Sequence, residues 1–177
     1  MVAHTYALPR PATDDVQLRA AVAATRSPAD RGSWRALHFL YTQCRCSQRI
    51  LSTLFARHPL AGVSERVVLI GAHPEYERAA RAAGFDVEVL MPEQLVLRYG
   101  AHAAPLFVVA DPEDRLRYVG GYSERKQGLD MRDVAILSAL TGGRDADELP
   151  LFGCAVSSSL RSLLDPLGLR PKPEGEQ

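Results

Sequence analysis

The fold is decided by the stretch LHFLYTQCRCSQRIL, residues 37–51. Its first part is an apolar, aromatic-containing run with the length of a buried strand. The residues that follow place Ile50 and Leu54 at the spacing of one face of a helix. Cys44 and Cys46 lie where the strand pattern gives way to the helix pattern. The sequence therefore predicts two cysteines at a strand–helix junction.

A cysteine at such a junction is in a position that favours its ionised form. The first amide N–H groups of a helix have no partner within the helix, and the helix dipole places partial positive charge there. This environment can lower a cysteine pKa from about 8.5 to neutrality or below. We therefore expect Cys44 to be the most acidic thiol, and the junction to be a redox or metal site unless the cysteines only fill the core.

Composition narrows the possible functions. The chain of 177 residues has 46% hydrophobic residues, enough for one full core. Its 21 basic and 21 acidic residues balance, which argues against broad electrostatic binding of nucleic acid or anionic membranes. The sequence shows no run of about 20 apolar residues and no secretory leader pattern, so we expect no membrane span and a cytoplasmic location. Three cysteines cannot all pair within one chain, which favours a reactive or ligating set over a disulfide scaffold.

The remaining pattern predicts a sheet covered by helices. Strand-like runs at 66–71 and 85–90 alternate with helix-like runs at 74–83 and 92–99. A hairpin over residues 105–120 and a helix over 130–140 follow. We divide the chain into an N-terminal extension with one helix, a main domain and a C-terminal cysteine-bearing segment with a polar, mobile tail from Pro171, at residues 1–33, 34–143 and 144–177.

Over residues 34–140 the chain resembles the thioredoxin fold in two sequence features. Thioredoxins carry Phe-x-x-x-x-Cys-x-x-Cys at the end of a strand, and here Phe39 and Cys44 match while Ser47 takes the place of the second cysteine. They also carry a cis-proline that opens the strand facing the cysteines, and Pro105 resembles it. The resemblance implies a central mixed sheet flanked by helices, with a cis Pro105 packed against Cys44. It also implies a substrate-binding surface at Pro105, Ala104 and Ser47.

The chain is also similar to a group of bacterial redoxin-like proteins. These carry Cys-x-Cys-Ser, then Gly-Gly-Tyr or Gly-Gly-Ile, then a late Phe-Gly-Cys, and the last element matches the segment ending in Cys154. Members of that group often have a membrane anchor. Since no anchor is visible here, the compartment of the group is not carried over.

Three functions follow from these residues. The first is a thiol–disulfide oxidoreductase, in which Cys44 attacks a protein or small-thiol disulfide and Cys46 or Cys154 resolves it. The second is a module in which Cys44, Cys46 and Cys154 hold zinc, copper(I) or an iron–sulfur cluster. The third is an interaction domain without catalysis.

The position of Cys154 separates these possibilities. It lies over a hundred residues after Cys44 in an apolar segment that needs burial. It either packs beneath the last helix or folds back over the Cys-x-Cys turn. A disulfide between Cys44 and Cys46 would close a small, strained ring. We therefore predict that Cys154 lies close to Cys44 or Cys46.

Overall fold

The computed structural model describes residues 7–126 and 130–167, and the predicted tail from Pro171 lies outside them. The helices are α1 (Val16–Ala24), α2 (Arg45–Leu54), α3 (Pro74–Ala82), α4 (Pro92–Tyr99), α5 (Asp133–Thr141) and α6 (Ser158–Leu164). The strands are β1 (Trp34–Tyr41), β2 (Val63–Ile70), β3 (Asp86–Leu90), β4 (Ala103–Ala104), β5 (Leu106–Ala110), β6 (Leu116–Gly120) and β7 (Cys154–Ala155).

Five strands form the central sheet in the order β3-β2-β1-β5-β6. Strands β1, β2 and β3 run parallel, whereas β5 is antiparallel to both β1 and β6. The predicted central mixed sheet flanked by helices is therefore confirmed. The short strands β4 and β7 pair with each other outside this sheet.

The central strand β1 is buried on both faces, as its apolar sequence predicts. Because side chains alternate along a strand, Leu37 and Phe39 join a core layer with α1 and α4, and Leu40 joins the opposite layer with α2 and α5. Because β1 is the buried central strand, its end is held in place, and so is the start of α2 that follows it.

Helix α1 belongs to the N-terminal extension but packs into the main core. It begins after Asp15, whose carboxylate accepts a hydrogen bond from the Leu18 amide at 2.8 Å. Leu18 and Val22 are buried against the central sheet. The division at residues 1–33, 34–143 and 144–177 stays a prediction.

Tertiary contacts move two predicted boundaries. Strand β2 begins at Val63 rather than residue 66, because it pairs along its length with β1, starting opposite Trp34. Helix α5 begins at Asp133 rather than residue 130, because the Arg132 amide bonds to the Tyr122 carbonyl at 2.9 Å instead of entering a helix.

Candidate functional site

Cys44 occupies the junction between β1 and α2, as the N-cap residue of α2. Its amide bonds back to the Tyr41 carbonyl at 2.9 Å, and its carbonyl accepts from the Gln48 amide at 2.9 Å. The Ser47 hydroxyl accepts a hydrogen bond from the Tyr41 amide at 3.0 Å. These bonds lock the end of the strand to the first turn of the helix. As a result Cys44 is held in place with only 1% of its surface exposed.

Three sulfur atoms meet at Cys44. The thiols of Cys154 and Cys46 both donate hydrogen bonds to its sulfur and lower its pKa, the Cys154 thiol having the larger effect. The amide N–H groups of Ser47 and Cys46 lower this pKa further, while burial opposes the shift. The sulfur makes no well-aligned capping bond, so these amides act mainly as nearby dipoles. Cys44 is therefore set up as a buried thiolate.

Cys46 holds the proton of the pair. Its hydrogen bond to Cys44 raises its pKa well above the ordinary value, burial adds to the rise, and the charge of Arg49 opposes it. Its side chain is only half-buried, unlike that of Cys44. None of the three cysteines forms a disulfide in the structure.

Cys154 reaches this cluster because the segment over residues 149–156, here called the C-terminal strap, lies across the turn before β5. Within it, β7 pairs antiparallel with β4, and Cys154 stands opposite Ala104. The Val156 amide bonds to the His102 carbonyl at 2.8 Å. The sequence predicted that this apolar segment lies near Cys44 or Cys46, without indicating a strand; the structure shows the short strand β7 there.

Further bonds fix the other end of the C-terminal strap. The Leu151 carbonyl accepts from the Leu8 amide at 2.8 Å, and the Leu149 carbonyl accepts from the Gly121 amide at 3.0 Å. The Leu149 amide donates to the Tyr118 hydroxyl at 3.2 Å. The strap is thus bonded to three other parts of the chain, and these bonds hold Cys154 in place.

Gly153 allows the C-terminal strap to lie directly on the proline turn. A Cβ atom at this position would stand 2.6 Å from the Ala104 carbonyl carbon and would overlap the carbonyl oxygen and the Pro105 ring. The Phe-Gly-Cys motif therefore has a geometric reason: only a residue without a side chain brings Cys154 this close to the turn.

The three residues predicted to bind substrate differ in their surroundings. The Ala104–Pro105 peptide bond is cis, and Pro105 lines an open cleft. Ala104 is fully buried and its backbone is paired with Cys154. Ser47 is also fully buried, and its hydroxyl is used by the Tyr41 amide.

The cleft next to Cys46 has a volume of about 110 Å³. Cys46 and Arg49 are on its wall one turn apart on α2, and the side chains of Pro105, Met131 and Phe152 supply apolar surface. Arg49 was missed by the sequence analysis, because an arginine on a helix surface carries no signal of what it faces.

A buried polar network supports one wall of this cleft. His38 lies between the Tyr122 hydroxyl at 2.9 Å and the Glu65 carboxylate at 3.0 Å. Arg57 bridges Glu65 and Asp133, at 2.7 Å each. Although burial opposes it, the hydrogen bonds from His38 and Arg57 lower the pKa of Glu65 to about 2. Since the Tyr122 ring lines the cleft, the network positions it.

Sequence reasoning assigned no role to His38. Its neighbours in the network come from β2, α5 and the loops after α2 and β6, so the pattern of β1 alone contains no trace of them.

The described residues contain neither a cluster suited to a metal ion nor a helix suited to a membrane. Over residues 7–126 and 130–167, no three His, Cys, Asp or Glu side chains are arranged to hold a metal ion. In the same part of the chain, no helix has the length and apolar content needed to cross a membrane.

Comparisons with known proteins address the fold. No protein-family model matches the chain, and no curated protein is significantly similar to it. A hypothetical protein from Sinorhizobium meliloti has a similar structure, with a TM-score of 0.56, 22% identity, and coverage of 72% of this chain and 80% of its own. An uncharacterized conserved protein from Geobacillus kaustophilus has a TM-score of 0.55 at 20% identity, covering 71% and 77%.

A weaker similarity exists to the thioredoxin domain of a thiol–disulfide oxidoreductase from Bacteroides vulgatus, with a TM-score of 0.38, 14% identity, and coverage of 66% and 86%. At 22% and 20% identity, the similarities to the Sinorhizobium meliloti and Geobacillus kaustophilus proteins show a shared fold and nothing about function. The sequence resemblance implied a central mixed sheet, a cysteine where a strand passes into a helix, and a cis-proline opening a strand; the structure has a mixed sheet of order β3-β2-β1-β5-β6, Cys44 at the start of α2 and a cis Pro105 before β5. The chain therefore has a thioredoxin-like fold.

Proposed function

We propose that the chain is a thiol–disulfide oxidoreductase in which Cys44 is the central redox-active cysteine. The observation that carries this proposal is the hydrogen bonding of the Cys44 sulfur by the thiols of both Cys46 and Cys154. A thiolate is the form of cysteine that attacks disulfides. Cys44 thus combines a stabilised thiolate with two neighbouring thiols that can complete a disulfide.

Cys154 is the partner of Cys44 in the oxidised protein. The pairing of β4 with β7 holds Cys154 against the turn beside Cys44, whereas a bond to Cys46 closes a very small ring. A disulfide that closes a loop of about a hundred residues stabilises a protein by about 4.7 kcal/mol in the chain-entropy model. A disulfide between Cys46 and Cys44 is then the shorter-lived of the two.

The proposed substrates are disulfides of proteins or of small thiols, and a cytoplasmic setting stays a prediction. The alternative in which zinc, copper or an iron–sulfur cluster is held by the three cysteines also stays a prediction, as does the non-catalytic interaction domain.

A redox titration tests the proposal. The reduced protein is equilibrated in buffers of reduced and oxidised dithiothreitol, and the remaining thiols are alkylated and counted by mass. We expect two thiols to disappear together in one two-electron transition. Cys44→Ser should lose this transition while its circular dichroism is unchanged. Three thiols that stay reduced at every potential, or the same transition in Cys44→Ser, would refute the proposal.

A further inference from the structure

The C-terminal strap limits what can reach the cysteines. Strand β4 ends at the proline turn, and the backbone of Ala103 and Ala104 is paired with Ala155 and Cys154. An extended polypeptide binds a strand edge through such backbone bonds, and here β7 already makes them. Gly153 lies on Pro105 without space for a side chain. The edge that precedes Pro105 is therefore covered by the chain itself.

The cleft beside this turn gives access to a different sulfur. Cys46 is half-buried and on the cleft wall, whereas Cys44 is 1% exposed and is not among the lining residues. A reagent in the cleft therefore meets Cys46 before it meets Cys44.

The same cleft carries a positive charge on its wall, supplied by Arg49. Arg49 follows Cys46 by three residues, so the two side chains lie on the same face of α2, and both line the cleft. Within the part of the chain that the structure describes, no salt bridge uses the Arg49 guanidinium. The other walls are mostly apolar, formed by residues such as Ile50, Met131 and Phe152, and the uncharged polar residues Thr53 and Ser123 complete the lining. A guanidinium at the wall of a mostly apolar cleft suits a carboxylate attached to a short apolar chain.

We infer that this cleft receives a small disulfide that carries a carboxylate, and that Cys46 is the first cysteine to attack it. The inference rests on the proposed function and names its substrate class. It differs from the sequence prediction, which assigned the first attack to Cys44.

The disulfide bond is passed from Cys46 at the cleft to the buried Cys44, and then to Cys154. Cys46 passes its proton along the hydrogen bond to the Cys44 thiolate and attacks the disulfide RS–SR, forming Cys46–S–S–R and releasing RS⁻. Cys44 then gives up its proton to that RS⁻ and attacks the Cys46 sulfur, which expels the second RS⁻ and forms the Cys44–Cys46 disulfide.

Cys154 completes the sequence by attacking Cys44, and its proton goes to Cys46. Two protein thiols are oxidised to the Cys44–Cys154 disulfide and one small disulfide is reduced. One of the two released thiols leaves protonated and the other as thiolate, so protons, electrons and charge balance.

Three symmetrical disulfides test the substrate class: dithiodipropionate, which is anionic, 2-hydroxyethyl disulfide, which is neutral, and cystamine, which is cationic. The reduced protein is mixed with each in a single turnover. We expect dithiodipropionate to react about two- to fivefold faster than the neutral probe, the range that an ion pair near solvent supplies. Arg49→Gln should abolish this preference. Arg45→Gln is the matched control, because Arg45 is also an exposed arginine of α2 but does not line the cleft.

Trapping identifies the first cysteine. In Cys44→Ser the mixed disulfide cannot be passed inward, so the probe should accumulate on Cys46, as shown by peptide mass mapping. Cys46→Ala should slow the reaction at least tenfold. An adduct on Cys154, an undiminished rate in Cys46→Ala, or equal rates for the three probes would overturn the inference. If the wild type reduces none of the probes and no peptide disulfide, the proposed function itself fails; if it reduces a peptide disulfide fastest, only the inference fails.

Discussion

Replacing Cys154 by alanine should raise the pKa of Cys44. The Cys154 thiol makes the largest contribution to lowering that pKa, through its hydrogen bond to the Cys44 sulfur. A hydrogen bond to a charged group is worth about 1.5–3 kcal/mol, and one pKa unit corresponds to about 1.4 kcal/mol. The expected rise is therefore about one to two pKa units.

The assay is the absorbance of the thiolate at 240 nm, followed as a function of pH and corrected with Cys44→Ser. Cys154→Ser serves as the matched variant, because a hydroxyl can still donate to the thiolate and should keep most of the shift. Cys46→Ala should have the smaller effect of the two single removals, since its thiol contributes less. An unchanged pKa of Cys44 in Cys154→Ala would refute the proposed contact between these sulfurs.

Three further predictions concern the proline turn, the ionisation of Cys44 and the network around Glu65. Gly153→Ala should lower the free energy of unfolding by about 1–3 kcal/mol through overpacking against the proline turn, and it should raise the pKa of Cys44. In the control Gly142→Ala the added Cβ would lie 3.0 Å from the Ser138 carbonyl oxygen, and the pKa of Cys44 should not change. Folding lowers the pKa of Cys44 and raises that of Cys46. The free energy of unfolding of the wild type should therefore exceed that of Cys44→Ala by an amount that grows as the pH rises toward 9 and shrinks above it. A difference in urea denaturation that stays constant between pH 5 and 10 would contradict this. Glu65→Gln should lower the free energy of unfolding by about 3–5 kcal/mol in the same assay, because Arg57 then keeps only one of its two carboxylate partners. The control Glu77→Gln, in the surface pair with Arg81, should lower it by less than about 0.5 kcal/mol.

The sequence predicted the parts of this fold that depend on local pattern. The run of residues 37–51 identified a buried strand followed at once by a helix, and both are present as β1 and α2. The position of Cys44 at the helix start follows from that junction. A continuous apolar run predicts a strand that is buried on both faces, and apolar residues at helical spacing predict a helix that buries one face, so both elements are visible in the local sequence.

Other features depend on residues that are far apart in the chain. Strand β7 has two residues and exists only because β4 offers a backbone edge, so no alternation could have shown it. The network of His38 and Glu65 unites side chains from separate elements. Arg49 acquires a role in our account only through the neighbours that the fold brings to it. Contacts of this kind become visible only in three dimensions.

The most direct test of the central role of Cys44 is to map the disulfide of the oxidised protein. Trypsin cleaves after Arg45 and so separates Cys44, in peptide 36–45, from Cys46, in peptide 46–49, while Cys154 lies in peptide 145–161. After oxidation by one equivalent of a small disulfide and quenching with acid, our account predicts that peptide 36–45 is linked to peptide 145–161. A link between peptides 46–49 and 145–161, with Cys44 still a thiol, would contradict it.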